Sequence, residues 1–198
     1  MLKKVKQSKS EKILLTFLFL LAFFSLSSFF ILKNKCLFVE NVNIKKINFN
    51  KPENISIMNI NCGDVVIELM PDISPNSVKR FKTFIKNKEY DNVAFHRVID
   101  GFLVQAGDLE FGKKGNINYT YIGSGRSKYD LIKSEKNSPF DFKKGSVGFA
   151  KSKNGDMEDS EFFILLADAP LFEGEYTPLG KVTHGFAALT KIKSGNKS

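Results

Sequence analysis

The spacing of apolar residues changes along the chain, and each spacing predicts a different element. Residues 13–32, "ILLTFLFLLAFFSLSSFFIL", are twenty uncharged positions in a row. At 1.5 Å per residue such a helix covers about 30 Å, the hydrocarbon thickness of a bilayer. Further on, "ISIMNINCGDVVIELM" alternates apolar and polar positions on either side of residues 61–64. That pattern predicts a hairpin with Cys62-Gly63-Asp64 at its tip. The period then lengthens, with Val78, Phe81, Phe84 and Ile85 at helical spacing behind Ser74, a cap, and Pro75, suited to the first helical position. "GFAALTKIK", residues 185–193, predicts a second, shorter helix. The remaining runs, "VAFHRVI", "FLVQAGD", "GSVGFAK", "EFFILLA" and "YTPLGKV", are short, β-rich and separated by glycine or polar turns. Together they predict a mainly β domain: an antiparallel sheet closed into a barrel, with two helices capping its ends.

This pattern divides the chain into a basic tail (1–12), a transmembrane segment (13–32), an Asn- and Lys-rich spacer (33–52) and one globular domain (53–198). A cleaved signal peptide competes with the anchor, since Ser25 and Ser27 form a small-x-small site. The apolar run continues past that site through Phe29, Phe30, Ile31 and Leu32, which favours an uncleaved anchor. Lysines before the span hold the N-terminus in the cytoplasm, so the domain is expected outside it, in an extracytoplasmic space such as a periplasm; cleavage would instead give a secreted form.

The net charge of +9 changes this picture little. Lys3, Lys4, Lys6, Lys9 and Lys12 against Glu11, with Lys33 and Lys35, supply six of those charges, which leaves about +3 for the rest. No basic stripe interleaved with aromatics follows, so nucleic acid is not an expected partner. Cys36 and Cys62 predict neither a disulfide framework nor, with two distant histidines, a metal site. Asn54-Ile-Ser56 and Asn118-Tyr-Thr120 match glycosylation acceptors by chance in a chain so rich in Asn.

The candidate chemistry lies in "FHRVIDGFLVQAGD", residues 95–108. On a strand over 95–99, Phe95, Arg97 and Ile99 share one face while His96 and Val98 share the other, so Arg97 and His96 cannot act together. Arginine occurs only as Arg80, Arg97 and Arg126 against twenty-seven lysines, so its use at 97 points to a need for the planar guanidinium fork. An ion pair at a rim is the plainer reading of Arg97. For His96 the structural reading, a hydrogen-bonded half-buried ring, is preferred.

This stretch resembles the signature of the cyclophilins, peptidyl-prolyl cis-trans isomerases: Phe-His-Arg, two apolar residues, x-Gly-Phe, then Gln-x-Gly-Asp. "GDVVIEL" (63–69), "GSVGFA" (145–150), "FFI" (162–164) and "EGEYTPLGKV" (173–182) are similar to further family motifs in the same order, so the likeness covers about residues 53–193. The resemblance implies an eight-stranded closed barrel with two capping helices. It implies that Arg97 is catalytic, that Phe102, Leu103, Phe163 and Phe172 form a proline pocket, and that Gln105 bonds the substrate backbone. It further implies proline-containing polypeptides as substrates, a cyclosporin-like ligand, no metal or cofactor, and a monomer.

Several positions depart from the family pattern. Ala150-Lys151 replaces the usual Ala-Asn or Ala-Arg, and Glu161 replaces Gln, so a Lys151–Glu161 ion pair is expected in place of an amide contact. Leu171 stands where animal relatives carry tryptophan, and Tyr176 where they carry histidine; both are expected at the pocket rim. An anchored isomerase assisting exported proteins is the leading function, with a proline-binding module that has lost turnover and a structural membrane protein as alternatives. Family members continue into a last strand that closes the barrel, which "KIKSGNKS" does not provide. The segment 40–49, with Val42, Ile44, Ile47 and Phe49, is expected to substitute for it, bending at Lys45-Lys46.

Overall fold

A computed structural model describes residues 8–33, 36, 39–152 and 155–193, in two compact units, Met1–Phe38 and Val39–Ser198. The first holds helix α1 (Lys9–Lys33). Its first turn is closed by a reciprocal pair that the hydropathy pattern does not reveal. Ser8 Oγ accepts from the Glu11 N–H at 3.2 Å, and Glu11 Oε2 accepts from the Ser8 N–H at 2.8 Å, a capping box. Within the apolar run, Thr16 and Ser27 donate their hydroxyls to the carbonyls of Lys12 and Phe23, leaving neither hydroxyl unsatisfied. Residues Lys9–Leu32 form a helix long and apolar enough to cross a membrane, as a signal sequence near the N-terminus also would be.

The second unit is built on one antiparallel sheet. Its strands are β1 (Ile55–Ile60), β2 (Gly63–Leu69), β3 (Arg97–Ile99), β4 (Leu103–Ala106), β5 (Ile132–Lys133), β6 (Ser146–Lys151), β7 (Met157–Leu165) and β8 (Pro178–His184). They run in the order β1-β2-β8-β6-β7-β4-β3, with β5 pairing β7 off this path. The hairpin forms, Ile55 opposite Glu68 through Ile60 opposite Gly63, but its turn is Asn61-Cys62 rather than Cys62-Gly63-Asp64, because Gly63 and Asp64 already pair in β2.

The closed barrel is not what forms. Among the described residues no strand joins β1 to β3, and the sheet is a curled half-barrel with those two strands at its ends. After β8 the chain enters α3 (Phe186–Leu189), one turn rather than the helix over 185–193 that the sequence suggested, and residues 190–193 form no strand. Nor does 40–49 substitute. It contains a single 3₁₀ turn, Ile44–Lys46, at the place expected to bend, and makes no ladder. Val42, Ile44, Ile47 and Phe49 are half-buried, and Val39 packs on the main core. Their apolar side chains are satisfied by packing without the backbone entering the sheet.

Helix α2 (Pro75–Lys86) buries Val78, Phe81 and Phe84, while Ile85 is 37% exposed at the edge of the apolar stripe. Ser74 does not cap it. Its hydroxyl is fully buried and donates to the carbonyl of Pro178 on β8. The cap comes from far along the chain: the Glu135 carboxylate accepts from the N–H groups of Asn76 and Ser77 at 3.3 and 2.8 Å. A carboxylate there also meets the positive end of the helix dipole.

Strand alternation sorts the core into two faces. Val104, Ala106, Val147, Phe149, Phe162 and Ile164 join α2 and β2 in the larger cluster, under the Phe81 ring. Their neighbours Leu103, Phe163 and Leu165 turn the other way and pack with Phe142 and Ala169. Asp108, fully buried, ends the signature stretch and organises the loop after it. Oδ1 accepts from the N–H groups of Glu110 and Phe111, and Oδ2 from those of Gly123 and Gly125 at 2.7 and 3.1 Å. A Cβ at Gly125 would collide with that carboxylate, so only glycine admits the approach. Asn54, one of the glycosylation matches, is buried and accepts from Lys82. Cys36 and Cys62, expected to form no framework, are both disulfide-bonded.

Glu158 on β7 is 1% exposed, accepts from Ser77 Oγ at 3.0 Å, and has its pKa pushed up to about 7, mainly by burial. The folded chain therefore keeps this proton up to about pH 7, whereas an unfolded glutamate releases it near 4.5. Its contribution to stability is present below pH 4.5 and is lost as pH rises to about 7, on the order of 3 kcal/mol in all. Glu158→Gln is expected to flatten the dependence of the melting temperature on pH across that window. An unchanged slope would contradict the assignment.

Candidate active site

The register of the sheet assembles the site. Arg97 on β3 pairs with Gln105 on β4, Gln105 pairs with Phe163 on β7, and Phe163 pairs with Gly148 on β6. Side chains on one such rung point to the same face, so Arg97, Gln105 and Phe163 stand in a row, with Leu103 and Glu161 two residues along on that face. Gly148 completes the row by having no side chain. A Cβ there would lie 2.6 Å from Phe163 Cζ, so the glycine makes room for the ring.

Arg97 is exposed, and its guanidinium Nη1 donates to Gln105 Oε1 at 3.2 Å. Gln105 Nε2 donates to Glu161 Oε2 at 2.6 Å. His96 precedes β3 rather than lying on it, and its buried ring brings Nε2 to 3.3 Å from the same Glu161 oxygen. Arg97 and His96 thus both approach Glu161, one through Gln105 and one directly, although the His96 ring nitrogens make no hydrogen bond among the described residues, contrary to the hydrogen-bonded ring expected.

The expected Lys151–Glu161 pair does not form. Lys151 bonds the Glu175 carboxylate instead and lies 5.0 Å from the centre of the Tyr176 ring. The ammonium holds the Glu175 carboxyl below the usual carboxylate range. Glu161 is already occupied by the Gln105 amide and faced by the His96 imidazole, and the lysine pairs with Glu175 instead.

Beside this polar row stands an aromatic wall. Phe163 meets Phe172 edge-on at 5.4 Å and Tyr176 at 5.2 Å, Phe172 lies 4.5 Å from Tyr176, and Phe102 meets Phe172 at 5.8 Å. Leu103 and Phe163 are buried, while Phe102, Phe172 and Tyr176 are half-buried around them. Leu171, expected at the rim, is 88% exposed. Phe140 and Phe142, which motif reading missed, back the wall at 5.0 Å from each other, with Phe142 6.1 Å from Phe163. The alternation in "PFDF" was their only sequence signal. Ala150, Lys151 and Glu161 line a small cavity with residues 123–126, Leu131, Ser152 and Asp159. Among the described residues no cluster of His, Cys, Asp or Glu is placed to hold a metal ion.

A family model for cyclophilin-type peptidyl-prolyl cis-trans isomerases matches residues 55–198. The chain belongs to that family. It is 42% identical over 149 residues to a probable peptidyl-prolyl cis-trans isomerase of Brucella suis, covering 74% of this chain and 75% of the relative. Peptidyl-prolyl cis-trans isomerase B of Escherichia coli is 30% identical over 141 residues, covering 67% and 80%. A cyclophilin-type isomerase of Cryptosporidium parvum, crystallised in the presence of the dipeptide Ala-Pro, matches with a TM-score of 0.58 at 26% identity over 69% of this chain and 84% of that one. The cyclophilin domain is thus a curled β sheet with few helices, and peptidyl-prolyl isomerisation is its activity.

If Gly148 is what seats Phe163, Gly148→Ala should push the ring out of the wall, at a cost of about 1–3 kcal/mol. Denaturant unfolding measures it, and a stability equal to the parent's would show that the wall does not depend on this glycine.

Proposed function

We propose that Arg97 carries the isomerisation of X-Pro bonds in this cyclophilin domain, acting on exported polypeptides outside the cytoplasm. An X-Pro bond turns slowly because amide resonance sets a barrier near 20 kcal/mol. Resonance weakens when the prolyl nitrogen becomes pyramidal, and a guanidinium N–H donated to that nitrogen stabilises the change. The effect is largest in a site where water is displaced by apolar side chains. Phe102, Leu103, Phe163 and Phe172 are the surface against which the ring would rest, with Tyr176 at the rim, while Gln105 offers its remaining N–H and lone pair to the substrate backbone. The carbonyl side of the bond then rotates over the exposed guanidinium. No covalent intermediate is needed.

The observation that supports this reading is the rung itself: an exposed arginine, fixed by an amide, in line with a buried phenylalanine. An Arg97 buried behind other side chains would have favoured a structural role. The expected outcome of Arg97→Ala is a catalytic efficiency at least about tenfold lower, or about 1.4 kcal/mol of transition-state stabilisation, with the fold kept. A protease-coupled assay on a short X-Pro peptide reads it, and an undiminished rate would sink the mechanism. A parent chain that binds such a peptide without turning it over would favour the binding module.

Two features support the location. The apolar α1 is long enough to span a bilayer, and both cysteines are in the disulfide state, which persists in oxidising compartments. The anchored form should resist extraction from membranes by salt and by alkaline wash. Release by either treatment, or a mature chain starting near Ser28, would replace the anchor with a signal peptide.

A further inference from the structure

We infer that Glu161 is a positioning residue that fixes which end of Gln105 faces Arg97, and that an acceptor at this position is what the site requires there. This rests on the proposed role of Arg97. A guanidinium can only donate hydrogen bonds, an ionised carboxylate can only accept them, and a primary amide has one end of each kind. Gln105 lies between the two: Oε1 accepts from Arg97 at 3.2 Å, and Nε2 donates to Glu161 at 2.6 Å. The order of atoms is therefore forced. Turning the amide over would set its NH₂ against the guanidinium and its carbonyl against the carboxylate, losing both bonds and adding two repulsions.

Glu161 is held in place to do this. It sits on β7, two residues from Phe163, so the backbone that positions the aromatic wall also positions the carboxylate. His96 Nε2 lies 3.3 Å from the same oxygen, on a ring whose side chain is 4% exposed, so the carboxylate is packed against it. Lys151, the cation that would otherwise compete for the carboxylate, is drawn off to Glu175. The bond to Gln105 is charge-assisted and short, so it orders the amide more strongly than a neutral pair would.

The consequence reaches the substrate. With one lone pair of Oε1 given to Arg97 and one N–H given to Glu161, Gln105 keeps one acceptor site and one donor at fixed positions. A peptide backbone beside the proline meets a single pattern of donor and acceptor. The guanidinium, restrained through Oε1, is aimed before the substrate arrives, which lowers the ordering cost in the transition state.

A series at position 161 that changes donor and acceptor character tests this. Glu161→Gln can still accept from Gln105 and is expected to lose at most about threefold in kcat/KM, whereas Glu161→Leu, similar in size with no acceptor, should lose about tenfold. Glu161→Lys presents donors, turns the amide over, and should lose more. The double variant Gln105→Glu/Glu161→Lys restores an acceptor between two donors and should recover at least about fivefold relative to Glu161→Lys alone. Melting temperatures separate loss of fold from loss of positioning. Equal losses for Glu161→Gln and Glu161→Leu, or no recovery in the double variant, would overturn the inference while leaving the Arg97 mechanism standing. If the parent chain shows no turnover, the mechanism fails instead. The side-chain amide protons of Gln105 then decide, expected to exchange slowly with solvent in the parent and faster in Glu161→Leu; equal exchange would overturn the inference.

Discussion

The site depends on one register. β4 lies between β3 and β7, and pairing Gln105 with Arg97 on one side and with Phe163 on the other puts a cation, an amide and an aromatic ring in a single row. A slip of one residue in the β3–β4 ladder would set Arg97 on the opposite face from Gln105, and one in the β4–β7 ladder would do the same to Phe163 and Glu161, because side chains alternate along a strand. Two clusters of apolar side chains hold the register from both sides. Val104, Phe162 and Ile164 are fixed in the larger core beneath, while Leu103, Phe163 and Leu165 are fixed in the smaller one above. Polar side chains are thus brought to one face by apolar packing, and the hydrogen bonds among Arg97, Gln105 and Glu161 then set how they are oriented.

Around that row the structure spends its buried polar groups on order. Asp108 gathers four backbone N–H groups and folds the loop that carries Gly123 and Gly125 to the edge of the site. Glu135 closes the first turn of α2, and Glu158 beneath it bonds Ser77. Carboxylates that cap backbone groups recur because each accepts from several donors that the loops would otherwise leave unpaired.

How much of this was legible in the sequence follows from how local each interaction is. The hairpin, α2 and the strand runs were readable because their signals are periodic and contiguous, and the motif at 95–108 carried Arg97, Phe102, Leu103, Gln105 and Asp108 together. Partners separated by long loops were not. Lys151 and Glu161 were matched as a charged replacement for the family's usual amide contact, but Glu175, carried by the chain that returns into β8, takes the lysine. Ser74 had the right identity for a cap, yet its hydroxyl serves β8, and the cap falls to Glu135. The closed barrel failed for a related reason: alternation at 42–49 reports which residues are half-buried, not whether their backbone enters a ladder. The aromatic pair Phe140 and Phe142 was hidden in a loop, where no period marks it.

The central claim is that this row of side chains turns an X-Pro bond rather than merely holding it. Two-dimensional exchange NMR on a short Ala-Pro peptide, mixed with a small fraction of the full chain, measures both events at once. The expected result is cross-peaks between the cis and trans resonances at mixing times under a second, where the free peptide, which takes tens to hundreds of seconds, shows none. Line broadening of the proline signals with no such cross-peaks would mean binding without isomerisation, and would contradict the account.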